Sequence, residues 1–101
     1  MDNFRRLTNM LKSNFPEYKV SVRRCKMPNG DVGDCDKKGK NFFIRVDKFK
    51  SEDEQFWILV HEFPHVLAWD DPDDHGSMWG RAYAKCYKIY EKFIDELNEN
   101  I

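Results

Sequence analysis

The stretch His61-Glu62-Phe63-Pro64-His65 determines how the rest of this 101-residue sequence is interpreted. It has the pattern H-E-x-x-H, in which two histidines four residues apart lie on one face of a helix, one turn from each other. Both imidazole rings can then reach one metal ion, and the glutamate lies beside the ion, where it can accept a proton from a bound water. The pattern also occurs by chance, so its meaning depends on the surrounding sequence.

A helix is predicted around this motif. Ser51 begins the sequence Ser-Glu-Asp-Glu, a capping-box pattern with a glutamate three residues after the serine. The acidic residues also suit the positive end of a helix dipole. We therefore expect a helix from about residue 52 to about residue 69, which places the whole H-E-x-x-H motif inside it.

A third histidine completes a candidate metal site. The sequence contains three histidines, and His75 follows the other two after a short aspartate-rich loop that can fold the chain back over them. A catalytic zinc site typically uses three protein ligands and one water. We predict that zinc is bound by His61, His65 and His75 and that Glu62 is the catalytic base. The alternative, histidines with ordinary hydrogen bonds in the core or at the surface, is disfavoured by the third histidine.

The chain before this helix is predicted to form one helix and a small sheet. Apolar residues recur at helical spacing over residues 2–14, and they alternate with polar residues around 18–23 and again around 42–47. Turn-forming residues dominate 28–40, where an additional strand around Val32–Cys35 has a weak signal. We expect an amphipathic N-terminal helix followed by a small antiparallel sheet.

The chain after the metal helix is predicted to form one more helix, over 78–98, with Ser77 as its N-cap. Gly80 in its first turn costs up to about 1 kcal/mol relative to alanine, so we expect it to let this helix pass close to the metal helix. The order helix, strands, helix, helix is an α+β arrangement, and its length fits a single domain over residues 1–101.

The sequence LVHEFPHVLAWDDPDDHGSMWGRAYAKCY, residues 59–87, resembles the zincin core of SprT-like (Spartan-type) metallopeptidases, in particular the small stand-alone forms common in bacteriophage genomes. The resemblance covers roughly residues 33–90. The shared elements are H-E-x-x-H, Val66-Leu67, Trp69, the HGxxW segment His75–Trp79 and Tyr83-Ala84, and the earlier segments Gly33–Cys35 and Phe43–Asp47 also resemble the phage forms.

This resemblance implies a minimal zincin fold, Zn²⁺ held by His61, His65 and His75, and Glu62 as the base that hydrolyses peptide bonds of a protein or peptide substrate. Spartan-type members act on DNA-bound proteins, but their separate DNA-binding regions have no counterpart in these 101 residues.

Pro64 departs from the family pattern, which usually has a small residue or an ordinary helix former at this position. Proline removes the hydrogen bond to the carbonyl of Val60 and clashes with it, at a cost of roughly 3 kcal/mol or more. Either the helix is kinked beside the metal, or the chain is a variant with altered activity.

Three aromatic residues near the motif have two interpretations each. Trp79, one turn after His75, either shields that ligand or packs in the core. Tyr83 either donates a hydrogen bond to the oxyanion of a tetrahedral intermediate or belongs to the core. Trp57, one turn before His61, either forms a wall of the cleft or is a core aromatic.

The charge is unevenly distributed along the chain. Residues 1–50 carry thirteen Lys/Arg and six Asp/Glu, whereas residues 51–101 carry four and twelve. This asymmetry indicates either two solvated faces that attract each other or a basic surface for an anionic partner. Strand alternation places Lys19, Arg23 and Arg45 on the outer face of the sheet, where they could make a weak contact with DNA.

The remaining features concern location and alternative functions. Three cysteines without a CxxC spacing, no secretion signal and no membrane-spanning segment indicate the cytoplasm, which would be the host cytoplasm for a phage protein. Besides a metallopeptidase, we consider two functions: a non-catalytic, zinc-stabilised interaction module, such as a phage protein that binds a host factor, and a nucleic-acid-binding protein.

Overall fold

The computed structural model describes residues 2–99. It contains three α-helices and one three-stranded sheet, with a short 3₁₀ turn at Pro28–Gly30. The elements are α1 (Asn3–Asn14), β1 (Lys19–Cys25), β2 (Gly33–Lys38), β3 (Asn41–Asp47), α2 (Glu52–Leu67) and α3 (Ser77–Glu99). The predicted α+β class and the order of the elements are therefore confirmed.

The sheet is mixed, and the prediction of a wholly antiparallel sheet is wrong. Its strand order is β1-β3-β2, with β1 parallel to β3 and β2 antiparallel to β3. The reason is the additional strand, which spans Gly33–Lys38 and forms a hairpin with β3 through a turn at Gly39, whose φ is +60°. Along the chain, β2 comes between β1 and β3 and runs in the opposite direction to both. Strands β1 and β3 therefore point in the same direction.

One face of the sheet is covered by the helices, and the other is open. Alternate residues of β3 turn inward and join residues of all three helices in a single core. The buried side chains of this core include Leu7, Leu11, Val20, Phe42, Ile44, Val46, Phe56, Leu59, Val60, Phe63, Cys86 and Phe93. On the open face, residues of the three strands line a hollow of about 540 Å³. The central strand β3 leads directly into α2, so the core fixes the position of the helix that carries the H-E-x-x-H motif.

Helix α2 is capped as predicted and ends slightly earlier than predicted. The Ser51 hydroxyl accepts a hydrogen bond from the Glu54 N–H (3.2 Å) and donates one to its carboxylate (2.9 Å). The helix continues through Pro64 to Leu67, and the Pro64 side chain is fully buried. The proline is thus accommodated as a packed core residue within a continuous helix.

The start of α3 differs from the prediction in two respects. Ser77 is the first helical residue and not the N-cap, because the Gly76 carbonyl already accepts the Gly80 N–H at 3.0 Å, and the carboxylate of Asp71 in the preceding loop accepts the Trp79 N–H at 3.0 Å. Gly80 has no packing function, since a Cβ atom added there would meet nothing within 4 Å. Within residues 2–99, no helix combines the length and the apolar character needed to cross a membrane.

Candidate metal centre

Three histidine side chains converge at the junction of α2 and α3. Helix α2 presents His61 and His65 one turn apart, and the loop between the helices brings His75 back over them. The Nε2 atoms of His61 and His75 are 3.2 Å apart, and one nitrogen from each of the three rings lies within 4.8 Å of the others. These are the three histidines that the sequence analysis brought together.

The arrangement fits a zinc ion. Nitrogens at about 2.0–2.1 Å from a tetrahedral zinc are separated from each other by about 3.3 Å, close to the His61–His75 distance. Burial is the main cause that lowers the pKa of His61 and of His65 below the usual value, and the neighbouring His75 lowers both further. The lowered pKa keeps these two rings neutral at pH 7, which is the form that binds metal.

A carboxylate lies beside the third ring. An oxygen of Asp74 lies 3.4 Å from Nδ1 of His75, while Nε2 of the same ring faces His61. An acceptor on the Nδ1 side favours the tautomer that leaves Nε2 free for a metal. Of the four aspartates in this loop, Asp71 has a different function, because it caps α3.

Trp79 forms a wall over the histidines, and Tyr83 supports it. The Trp79 ring centroid lies 4.7 Å from that of His75, 5.2 Å from that of His61 and 5.8 Å from that of His65. The Tyr83 ring stacks on Trp79 at 5.1 Å with an interplanar angle of 13°. The Trp79 Nε1 atom is buried without a hydrogen-bond partner among the residues described. Shielding of the ligands by Trp79 stays a prediction, which these ring contacts support.

Glu62 lies beside the histidines in a partly buried environment. Burial is the first cause that raises the pKa of its carboxyl group to about 7, and the negative charges of Asp34 and Asp74 add to it. A bound dication would lower this pKa again. A carboxylate whose pKa is near neutral can accept a proton and release it during one reaction cycle.

Strand β2 brings two residues to this site that the sequence analysis did not assign to it. A Cβ atom on Gly33 would lie 2.4 Å from Cγ2 of Ile58 and 3.5 Å from Cγ of Glu62, so the strand approaches α2 as closely as a glycine allows. Asp34, whose carboxylate pairs with Arg45, is one of the two negative charges that act on Glu62. The Gly33-Asp34 pair stood in the turn-rich segment, and its distance from the motif in sequence hid its place beside Glu62.

The outer edge of β2 is free among the strands described. The Asp47 N–H donates to the Val32 carbonyl at 2.9 Å, which fixes the hydrogen-bonded pairs of the hairpin. In an antiparallel pair the intervening residues direct their backbone groups away from the partner. Gly33, Cys35 and Lys37 consequently present backbone N–H and C=O groups at the edge nearest to the metal helix.

The basic face predicted for DNA contact is less basic than the sequence suggested. Arg45 forms a two-pronged ion pair with Asp34, in which Nε lies 3.0 Å from one carboxylate oxygen. Lys19 and Arg23 are exposed on the same outer face of the sheet. DNA contact through these residues stays a prediction.

The fold and the histidine cluster define a small α+β protein with a candidate metal centre. No protein-family model and no curated protein matches the sequence. Among solved structures, the chain is similar to the crystal structure of the metallopeptidase zymogen abylysin from Pyrococcus abyssi. The two are 24% identical, with 96% of this chain and 93% of that chain covered and a TM-score of 0.47.

Proposed function

We propose that this protein is a zinc-dependent metallopeptidase of the SprT-like type. In this proposal, His61, His65 and His75 hold one zinc ion, and Glu62 is the general base. The observation that carries the proposal is the convergence of three histidine nitrogens within 4.8 Å of one another, with the H-E-x-x-H glutamate on the same helix. Three histidines with an open fourth position are the ligand set of catalytic zinc sites, whereas structural sites are usually closed by four ligands.

The chain's own residues have distinct tasks in this reaction. Zinc, when bound, supplies a Lewis acid that polarises the substrate carbonyl and lowers the pKa of the attacking water. Glu62 accepts the proton of that water and passes it to the leaving amine. Asp74 holds His75 in its ligand tautomer, and Trp79 limits the access of bulk water to the three rings.

Tyr83 is proposed as a hydrogen-bond donor to the oxyanion of the tetrahedral intermediate. Its support is its position, because its ring stacks on Trp79, which contacts all three histidine rings. Tyr83→Phe keeps the stacked ring and removes the hydroxyl. A fall in kcat with little change in KM is therefore expected from this substitution.

The substrate is proposed to be an extended segment of a polypeptide. A free strand edge offers a row of backbone donors and acceptors with which an extended peptide can pair. The edge of β2 is such a row, and Gly33 brings it within side-chain contact distance of Glu62. A peptide paired with this edge would place one of its carbonyl groups near the histidine cluster.

The test is Glu62→Gln in the zinc-loaded protein. The amide keeps the size of the side chain but cannot accept the proton, so hydrolysis of an unfolded protein such as casein should fall by at least about 100-fold. Glu52→Gln, an exposed change in the first turn of the same helix, is the matched control and should retain activity. Zinc content is measured by elemental analysis and folding by circular dichroism.

Two outcomes would contradict the proposal. If the wild-type protein and Glu62→Gln cleave the substrate at equal rates, Glu62 is not the base. If the zinc-loaded wild type cleaves no polypeptide and the Glu62→Gln variant retains the biological function, the zinc stabilises an interaction module and not an enzyme.

A further inference from the structure

We propose that Trp57 and Tyr87 form an apolar subsite, continuous with the metal centre, that accepts a large apolar side chain of the substrate. This inference rests on the proposed peptidase function and adds a substrate class to it. Substrates would then be polypeptide segments in which an aromatic or large aliphatic residue lies near the cleaved bond.

The subsite lies on the same face of α2 as the metal ligands. Trp57 precedes His61 by four residues, so their side chains are neighbours along the helix. The Trp57 side chain is 47% exposed, although it belongs to the middle of a well-packed helix. An exposed indole at this position leaves apolar surface in contact with water beside the reaction centre, which an apolar group of a ligand could cover.

A continuous strip of aromatic rings joins Trp57 to the histidines. The ring of Trp57 lies 5.9 Å from that of Tyr87, and Tyr87 lies 5.9 Å from Tyr83. Tyr83 in turn stacks on Trp79, whose ring contacts His61. Residues of α3 thus extend the row of aromatic rings beside the histidines until it reaches Trp57.

The distribution of charge favours an apolar occupant over a charged one. Two carboxylates act on Glu62: that of Asp34 comes from β2, and that of Asp74 comes from the loop before α3. The four rings of the strip are tryptophan and tyrosine side chains, whereas the carboxylate of Asp53 acts on the neighbouring Tyr90. Free backbone groups line β2 on the other side of Glu62, so a bound peptide would pair its backbone there and direct an apolar side chain toward α3.

The experiment measures cleavage preference with and without the indole. A mixture of peptides from a cellular protein extract is incubated with the zinc-loaded wild type, and the cleaved bonds are identified by mass spectrometry. Aromatic and large aliphatic residues should be enriched at one position relative to the cleaved bond. Trp57→Ala should reduce that enrichment and lower kcat/KM for such peptides by about tenfold or more, the range for a group lost from a hydrophobic pocket.

Phe43→Ala is the matched control. Phe43 is also a partly exposed aromatic, but it lies on the open face of the sheet, opposite the helices. Its replacement should leave the preference unchanged. Thermal unfolding and zinc stoichiometry of each variant separate an effect on the subsite from a loss of folding, and Trp57→Phe, which keeps an aromatic ring, should restore most of the preference.

A binding measurement is independent of turnover. A fluorescent peptide containing the preferred residue should bind the Glu62→Gln variant, and adding Trp57→Ala should weaken binding by a similar factor. The subsite is ruled out if the wild type cleaves peptides without apolar preference or if folded, zinc-loaded Trp57→Ala keeps the preference. It is also ruled out if the wild type is a dimer that Trp57→Ala converts to monomers, because Trp57 would then belong to a subunit interface. Absence of any cleavage by the wild type would instead refute the peptidase function itself.

Discussion

One added methyl group should have opposite effects at two glycines of this protein. At Gly33 a Cβ atom would lie 2.4 Å from Cγ2 of Ile58 and 3.1 Å from the carbonyl oxygen of Arg45. Gly33→Ala should therefore lower the free energy of unfolding by about 1–3 kcal/mol, the usual cost of overpacking. At Gly80 the methyl group would meet nothing, and Gly80→Ala should raise the free energy of unfolding by up to about 1 kcal/mol through better helix propensity.

Urea unfolding of the two variants tests this pair, each serving as the control of the other. Gly33→Ala should also reduce any peptidase activity, because β2 would be displaced from Glu62. If Gly33→Ala is as stable as the wild type, β2 does not approach α2 as closely as described.

At the scale of residues, the sequence predicted the histidines better than their surroundings. H-E-x-x-H and His75 lie close together in sequence, so helical periodicity and one short loop were enough to bring them together. Asp34 acts on Glu62 from a strand almost thirty residues away in sequence. Nothing in the local pattern of Asp34 reports this influence of its charge, because it depends on strand pairing and on the packing of β2 against α2.

At the scale of elements, the beginning of α3 depends on a side chain from the loop. Asp71 accepts hydrogen bonds from the backbone N–H groups of Trp79 and Asp73. The bond from Trp79, followed by those from Asp73 and Met78, lowers the pKa of its carboxyl group. Asp71→Ala should destabilise the protein at neutral pH, because the first turn of α3 loses an acceptor for its free N–H groups.

The effect of Asp71 should depend on pH. A carboxyl group whose pKa is lowered on folding adds stability above its unfolded pKa, and this stability is lost as the pH falls through the folded pKa. The difference in unfolding free energy between metal-free wild type and Asp71→Ala should thus be largest at neutral pH and should shrink as the pH falls below the ordinary aspartate pKa of about 3.9. Asp71→Asn, which keeps an acceptor oxygen without the charge, is the control. A difference that persists unchanged at low pH would show that the ionised carboxylate contributes nothing.

The elements themselves were predictable where the pattern is local. Alternation marked β1 and β3, and the capping box marked α2, because each signal lies within one element. Strand β2 has the sequence Gly-Asp-Cys-Asp-Lys-Lys, which resembles a loop because its outward residues are charged and its inward ones are glycine, cysteine and lysine, without a large apolar side chain. Since β2 was weakly signalled, the parallel pairing of β1 and β3, which depends on it, was missed as well.

At the scale of the whole molecule, a metal ion should contribute strongly to stability, because a domain of this size buries a modest share of its surface. We expect one zinc per chain in the wild type. A ligand at 100 times its dissociation constant raises the free energy of unfolding by about 2.7 kcal/mol. Removing zinc with EDTA should lower the Tm accordingly, and His65→Ala should lose both the zinc and its effect on Tm.

The zinc prediction needs one control, and one result would contradict it. Metal-free wild type and metal-free His65→Ala should have similar Tm values, which separates the contribution of the metal from that of the imidazole ring. Stoichiometric zinc in the His61→Ala/His65→Ala double variant would show that the metal is bound elsewhere.

The closeness of the three histidines in sequence has a consequence for the kinetics of folding. All of them, with Glu62 and Trp79, belong to α2, α3 and the loop between, whereas the sheet requires pairing between segments far apart in the chain. Contacts between nearby residues form faster than those that must close long loops. The helical hairpin of α2 and α3 can therefore form, and bind a metal ion, before β1 pairs with β3. The metal-bound hairpin would then be the folding nucleus against which the sheet packs.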